Sequence, residues 1–187
     1  MNAQPFFDRI LAATVLRMIP RQVTPNHVTV FRFAATPIVL YCILIGQYQW
    51  GLLAFMIVSF SDAVDGALAR TRNQVTEWGK LYDPLADKLL IASMVLGVVV
   101  RELNLVLGLT IVAIEAAILG LAWYGHSHGR SMQANRWGKM KMTLEVAGVS
   151  VLLLGLAFGI PETLAISQAT FVVAILFALI SLITYGI

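Results

Sequence analysis

Six apolar runs of 17–22 residues divide this chain, separated by short polar stretches. Val28–Gly46 holds a single charge, Arg32, and one proline, Pro37. Trp50–Ala69, Pro84–Val100 and Leu103–Tyr124 follow, and after a longer polar stretch come Met142–Ile160 and Leu164–Tyr185. Each run is about as long as a helix crossing the hydrocarbon of a bilayer. The runs lack the alternating polarity of membrane barrel strands and have about twice the length such strands need. The pattern therefore predicts an all-α integral membrane protein with six transmembrane helices, built as one domain over residues 1–187. Residues 1–21 are too short and too charged to add a span, and no small-residue cleavage site follows them. Phe7, Ile10, Leu11, Thr14 and Met18 recur there at helical spacing, which predicts an N-terminal amphipathic helix lying in the membrane interface.

Composition agrees. The chain is 59% hydrophobic and 12% charged, whereas soluble domains run at roughly 45–50% apolar and about 25% charged. The lone Cys42 excludes an internal disulfide framework. A net charge of +3 is too small to argue for a nucleic acid partner. The placement of the basic residues says more than their sum. Arg9, Arg17, Arg21 and Arg32 precede or open the first run, Arg70, Arg72, Lys80 and Lys88 flank the second connection, and Arg130, Arg136, Lys139 and Lys141 flank the fourth. Only Arg101 lies on the other side, so twelve of the 13 basic residues share one face. By the positive-inside rule that face is cytoplasmic, together with both termini.

Four carboxylates stand out because hydrocarbon makes them costly, at roughly 2.5–3.5 kcal/mol for an acid at a helix centre. Asp62, Asp65, Gly66 and Ala69 fall at i, i+3, i+4 and i+7, one helix face mixing acids with very small residues. Asp83 and Asp87 are one turn apart at the start of the next run, and the two helices join on the cytoplasmic side. A structural reading is open for Asp83, since Asp before Pro84 is a common helix start. Taken together, however, four oxygen donors suit Mg²⁺ or Mn²⁺, and they suffice for two ions clamping a phosphoryl group.

The spacing Asp62-x-x-Asp65-Gly66-x-x-Ala69-Arg70, eight residues, Gly79-x-x-x-Asp83-x-x-x-Asp87 resembles the complete signature of the CDP-alcohol phosphotransferases. The resemblance extends to Pro25-Asn26-x-x-Thr29-x-x-Arg32 and to Trp137-Gly138-Lys139-x-Lys141. It implies a bundle with its active site open to the cytoplasm, in a membrane of bacterial inner-membrane type, and often a homodimer. It implies that Asp62, Asp65 and Asp83 ligate two divalent ions, with Asp87 a partial ligand and the general base. Asn26, Asp62, Gly66, Ala69, Arg70 and Gly79 would then receive the CDP moiety of CDP-diacylglycerol. Glycine removes the side chain that would block a nucleotide, and a guanidinium suits a diphosphate.

Tyr82-Asp83-Pro84-Leu85-Ala86-Asp87-Lys88 resembles the form found in the phosphatidylglycerophosphate synthases and related cardiolipin synthases of that family. The first of these implies glycerol 3-phosphate as acceptor, with Arg130, Arg136, Lys139 and Lys141 as the cations for its phosphate. The same four residues also serve as topology signals beside lipid headgroups. Ile114 precedes Glu115 where those synthases typically carry Arg, and Met142 stands where a Thr commonly follows the second Lys. Phosphatidylglycerol as acceptor, giving cardiolipin, is thus the alternative, along with another alcohol. Cation transport is the reading from a different class. It needs access from both faces, yet every acid of the quartet lies towards the cytoplasmic end of its helix. Glu115 and Glu145 are further intramembrane acids and hence functional candidates.

The basic bias sets a topology test. In a Cys42→Ser background, a cysteine at Asn73 is expected to react with an impermeant thiol reagent only after the cells are permeabilised. Labelling from outside intact cells would reverse the orientation.

Overall fold

Helices account for nearly all of the described residues, and no strand occurs among them. The structure is a computed structural model and describes Thr14, Leu16, Ile19, Pro20 and residues 22–72, 74, 76–127 and 136–185. The expected interfacial helix over 1–21 falls almost wholly outside these residues, as does Arg130. In order come α1 (Pro25–Leu44), α2 (Tyr48–Thr71), α3 (Glu77–Met94), a π-helical turn (Val95–Val99), α4 (Val100–Glu102), α5 (Leu105–Ser127), α6 (Arg136–Phe158) and α7 (Glu162–Tyr185).

Local chemistry explains the boundaries. Pro25 takes the first position of α1, where a missing N–H costs nothing. Ahead of it the Thr24 N–H donates to His27 Nδ1 at 3.2 Å, while the His27 N–H donates to the Thr24 carbonyl at 3.0 Å. The His27 ring thus caps the Thr24 N–H from the third helical position, as the side chain there does in a capping box, while the second bond is a backbone turn. Gly46, at φ +76°, ends α1, and the Gln47 N–H closes onto the Cys42 carbonyl at 2.9 Å. Gly159, at φ +69°, ends α6 in the same way, with the Ile160 N–H on the Gly155 carbonyl at 3.0 Å. Both positions need the left-handed backbone that glycine adopts freely.

Five helices, α1, α2, α5, α6 and α7, are long and apolar enough to cross a membrane. The third expected run is different. Its helix begins at Glu77, well before the apolar stretch that opens at Pro84, so Pro84 lies inside α3. Thr76 caps it, its hydroxyl accepting the Gly79 N–H at 2.9 Å. Asp83 is therefore not a helix cap. It sits in the second turn of a helix whose charged residues are Glu77, Lys80, Asp83, Asp87 and Lys88.

Two compact units emerge, Met1–Val39 with Leu53–Leu90, and Leu40–Leu52 with Ile91–Ile187. In the first, Val64, Ala67 and Leu68 of α2 form a small buried cluster with Leu16, against which Ile19 packs. Arg72 fastens that segment down. Its guanidinium donates to the carbonyls of Ile19 at 2.8 Å, Val23 at 3.1 Å and Pro20 at 3.2 Å.

The second unit is organised by the hairpin of α6 and α7. Gly148 lets the Phe171 ring lie against the α6 backbone, and Ser167 donates to the Gly148 carbonyl at 2.8 Å. Leu152, Leu153, Phe171 and Ala174 are almost fully buried there. Trp137 stacks on Phe177 with centroids 5.6 Å apart. Elsewhere many large apolar side chains are exposed, among them Ile38, Trp50, Leu53, Val106 and Ile183. On helices of this length, such faces suit contact with lipid.

The α6–α7 contact is close enough to test. A Cβ at Gly148 would meet three Phe171 ring atoms at 3.0–3.2 Å. Gly148→Val is expected to cost ~1–3 kcal/mol, the usual penalty of overpacking, read as a melting temperature lowered by a few degrees in detergent.

Candidate functional site

Three helices of the first unit each offer one polar stripe. On α1, Asn26, Thr29 and Arg32 are spaced three apart. On α2, Asp62, Asp65, Gly66 and Ala69 share a face as the spacing requires. On α3, Gly79, Asp83 and Asp87 follow at four-residue intervals. The early start of α3 matters here, because it puts all three on one continuous helix.

Arg32 is the centre of the arrangement. It is fully buried, and its guanidinium reaches carboxylates from two helices. Nη1 donates to Asp87, while Nη2 donates to Asp65 and lies 3.2 Å from Asp62. One turn earlier on α1, the Thr29 hydroxyl donates to Asp83. Two positions one turn apart on α1 thus hold all four acids. Exposure is graded across them, with side-chain accessibility 4% for Asp65, 15% for Asp87 and 43% for Asp62. Burying a guanidinium is costly unless it is paired and hydrogen-bonded, and here its Nε remains without a partner. By itself Arg32 offsets one of the four negative charges.

The small residues have a visible use. A Cβ at Gly79 would meet Thr76 Oγ1 at 3.2 Å, Asp83 Oδ2 at 3.3 Å and Asn26 Oδ1 at 3.4 Å. Thr76 also donates to Asn26 Oδ1 at 2.8 Å, which ties the start of α1 to the start of α3. A Cβ at Gly66 would meet the Arg70 guanidinium at 3.1 Å, so the bare α2 backbone gives Arg70 room to lie along its own helix. Ala69 is half-buried beside it, and Arg70 is exposed.

Among the described residues, no group of three or more His, Cys, Asp or Glu side chains is arranged to hold a metal ion as it stands. The donor chemistry nevertheless fits one. Three carboxylates converge on a single cation, the Arg32 guanidinium, and hard oxygen donors of this type are those that Mg²⁺ and Mn²⁺ take.

Of the four basic residues expected to meet an acceptor phosphate, three are described, all in the second unit. Arg136 and Lys139 are exposed at the start of α6. Lys141 is buried, donates to Glu115 of α5 and lies 3.5 Å from Glu145 one turn further along α6. That triad was only half visible in the sequence. Lys141 and Glu145 stand at i, i+4, a spacing that signals a pair, but nothing in the chain order links them to Glu115. The role of Arg32 was also missed, although a single charge one turn after Thr29 in an otherwise apolar run was the available signal.

Most of the chain is similar to known proteins. A family model described as CDP-alcohol phosphatidyltransferase matches residues 22–183. A Bacillus subtilis CDP-diacylglycerol–glycerol-3-phosphate 3-phosphatidyltransferase is 35% identical over 147 residues, covering 70% of this chain and 76% of its own. A Streptomyces coelicolor cardiolipin synthase (CMP-forming) is 38% identical over 112 residues, covering 56% and 52%. The crystal structure of a Mycobacterium tuberculosis phosphatidylinositol phosphate synthase with CDP-DAG bound superposes with a TM-score of 0.57. It covers 95% of this chain and 93% of that one at 16% identity, a likeness of fold.

Graded burial predicts unequal costs within the acid cluster. With chelator present, Asp65→Ala should destabilise the protein by ~3–5 kcal/mol, because it strips a partner from a buried guanidinium. Asp62→Ala, at the exposed edge, should cost less than about 1 kcal/mol. Equal melting temperatures for the two variants would contradict the observed pairing.

Proposed function

The chain belongs to the CDP-alcohol phosphatidyltransferase family, and on that premise we propose that it transfers the phosphatidyl group of CDP-diacylglycerol to glycerol 3-phosphate, releasing CMP. The observation that carries this reading is the meeting of Asp62, Asp65, Asp83 and Asp87 around Arg32 and Thr29 at the signature spacing. The named relative from Bacillus subtilis supports the choice of acceptor.

In this reading Asp62, Asp65, Asp83 and Asp87 hold two divalent ions, Mg²⁺ or Mn²⁺. Such ions, when bound, neutralise charge developing on the phosphoryl oxygens and on the departing nucleotide. The rest falls to the chain. Asn26, Asp62, Gly66, Ala69 and Gly79 seat the CDP moiety, with the glycines leaving backbone open to it. Arg70 holds the diphosphate. Asp87 takes the proton of the acceptor hydroxyl, which then attacks the phosphorus bearing the lipid. Arg130, Arg136, Lys139 and Lys141 receive the acceptor phosphate, Glu115 and Glu145 fixing the Lys141 ammonium. Positioning and electrostatics carry most of a phosphoryl transfer.

The wider setting follows the same proposal. The chain works as a single domain of six spans, α3 with the π turn and α4 forming the third, preceded by an interfacial helix over residues 1–21. It forms a homodimer in a bacterial-type inner membrane, and the aspartates face the cytoplasm. The relative named as a cardiolipin synthase keeps phosphatidylglycerol as the second acceptor to examine.

Product analysis decides among these. Purified protein given labelled CDP-diacylglycerol and a panel of alcohols should form lipid product with glycerol 3-phosphate, lose activity in chelator and regain it with Mg²⁺ or Mn²⁺. Conversion of phosphatidylglycerol with glycerol 3-phosphate inert would establish the cardiolipin reading instead. In the same assay Asp87→Asn should lower turnover by roughly 10²–10⁴, the usual worth of a general base, while calorimetry still records binding of Mn²⁺ and a CDP analogue.

A further inference from the structure

Arg32 stands where a cation is wanted. Its guanidinium occupies oxygens of Asp65 and Asp87 and lies 3.2 Å from Asp62, three of the four carboxylates assigned above to divalent ions. Those oxygens cannot serve the guanidinium and an ion at full strength together. Without some positive charge among them, carboxylates on neighbouring helices repel one another, and the medium around them screens that repulsion poorly. Arg32 is fully buried and Asp65 nearly so, and solvent screens little at that pair, whereas Asp62 lies at the exposed edge. The contact also spans helices, because Asp65 belongs to α2, Asp87 to α3 and the arginine to α1. Thr29 holds Asp83 from the same face of α1.

Resting on the metal reading above, we propose that Arg32 is the resident counter-ion of this site, a positioning residue that keeps Asp62, Asp65 and Asp87 gathered until divalent ions take the same oxygens. Arg32 and the ions therefore compete. The guanidinium preserves the site in the empty protein and weakens apparent metal affinity, because part of each binding event goes to releasing it. The unpaired Nε is consistent with a side chain held by the acids at its tip alone.

The test is a thermal melt of the purified full-length protein in detergent, in chelator and across a Mn²⁺ titration, for the native chain, Arg32→Gln and Arg32→Lys. Arg32→Gln keeps hydrogen-bond donors but removes the charge. It should melt lower than the native chain in chelator, gain more on Mn²⁺ addition, and reach its midpoint at about tenfold less Mn²⁺, as expected for removing a nearby positive charge. Arg32→Lys keeps the charge and should restore the native midpoint. A native-like Mn²⁺ response in Arg32→Gln would overturn the competition while leaving the metal reading intact. No response to Mn²⁺ or Mg²⁺ in the native chain itself would remove the metal reading, and the exchange with it. Should Arg32→Gln fail to fold, arginine-selective ¹⁵N spectra of the native protein give the same answer. Slowly exchanging guanidinium hydrogens in chelator should shift or lose protection on Mg²⁺ addition, and an unchanged signal would overturn the proposal.

Discussion

Four carboxylates cannot be placed among apolar helices unless something holds them there, and in this protein α1 does the holding. Arg32 reaches Asp62, Asp65 and Asp87, and Thr29 reaches Asp83. The register of three helices is tied to this arrangement. A slip of one residue in α1 would carry Arg32 about 100° round its helix and away from the acids. The polar contacts therefore specify how α1, α2 and α3 meet, where apolar packing alone would tolerate several rotations. Buried polar groups used in this way favour one arrangement over its competitors, at some expense in stability.

A similar logic runs through the second unit on a smaller scale. Lys141 with Glu115 and Glu145 is a buried triad of two acids and one base, linking α5 to α6. Ser167 and Gly148 then join α6 to α7 through a hydroxyl and a bare carbonyl. Such links supply direction in segments whose side chains are otherwise interchangeable aliphatics. Helix association in hydrocarbon gains little from burial as such, since lipid is as apolar as leucine.

Much of this is legible in the amino-acid sequence. The five longest apolar helices overlap their runs, with α6 starting earlier than its run, at Arg136, because a run of about 20 apolar residues leaves the backbone few options in a membrane. The α2 stripe was legible for the same reason, since the 3.6-residue period fixes which residues share a face. The start of α3 was not. Residues 77–83 scatter Glu77, Lys80 and Asp83 among Trp78, Leu81 and Tyr82, so a search for apolar runs passes over them, whereas Thr76 capping Gly79 turns them into helix. Contacts between helices were also beyond reach. That Arg32 meets acids 30 to 55 positions away, or that Lys141 meets Glu115, depends on how helices rotate against one another, and a single sequence does not encode that in its periodicity.

The glycines that end α1 and α6 bear on how such a chain enters a membrane at all. Gly46 and Gly159 close their helices within a few residues of the next, so α1–α2 and α6–α7 are helical hairpins with very short tips. Between α4 and α5 only Leu103 and Asn104 intervene. In the proposed topology these three tips are the connections among the described residues that pass to the far side. The charges that have to cross the hydrocarbon with them are Arg101, Glu102 and Glu162, while the long charged stretches stay on the side on which they are made. Biogenesis is then a sequence of hairpin insertions, each one bringing its own ready-made turn.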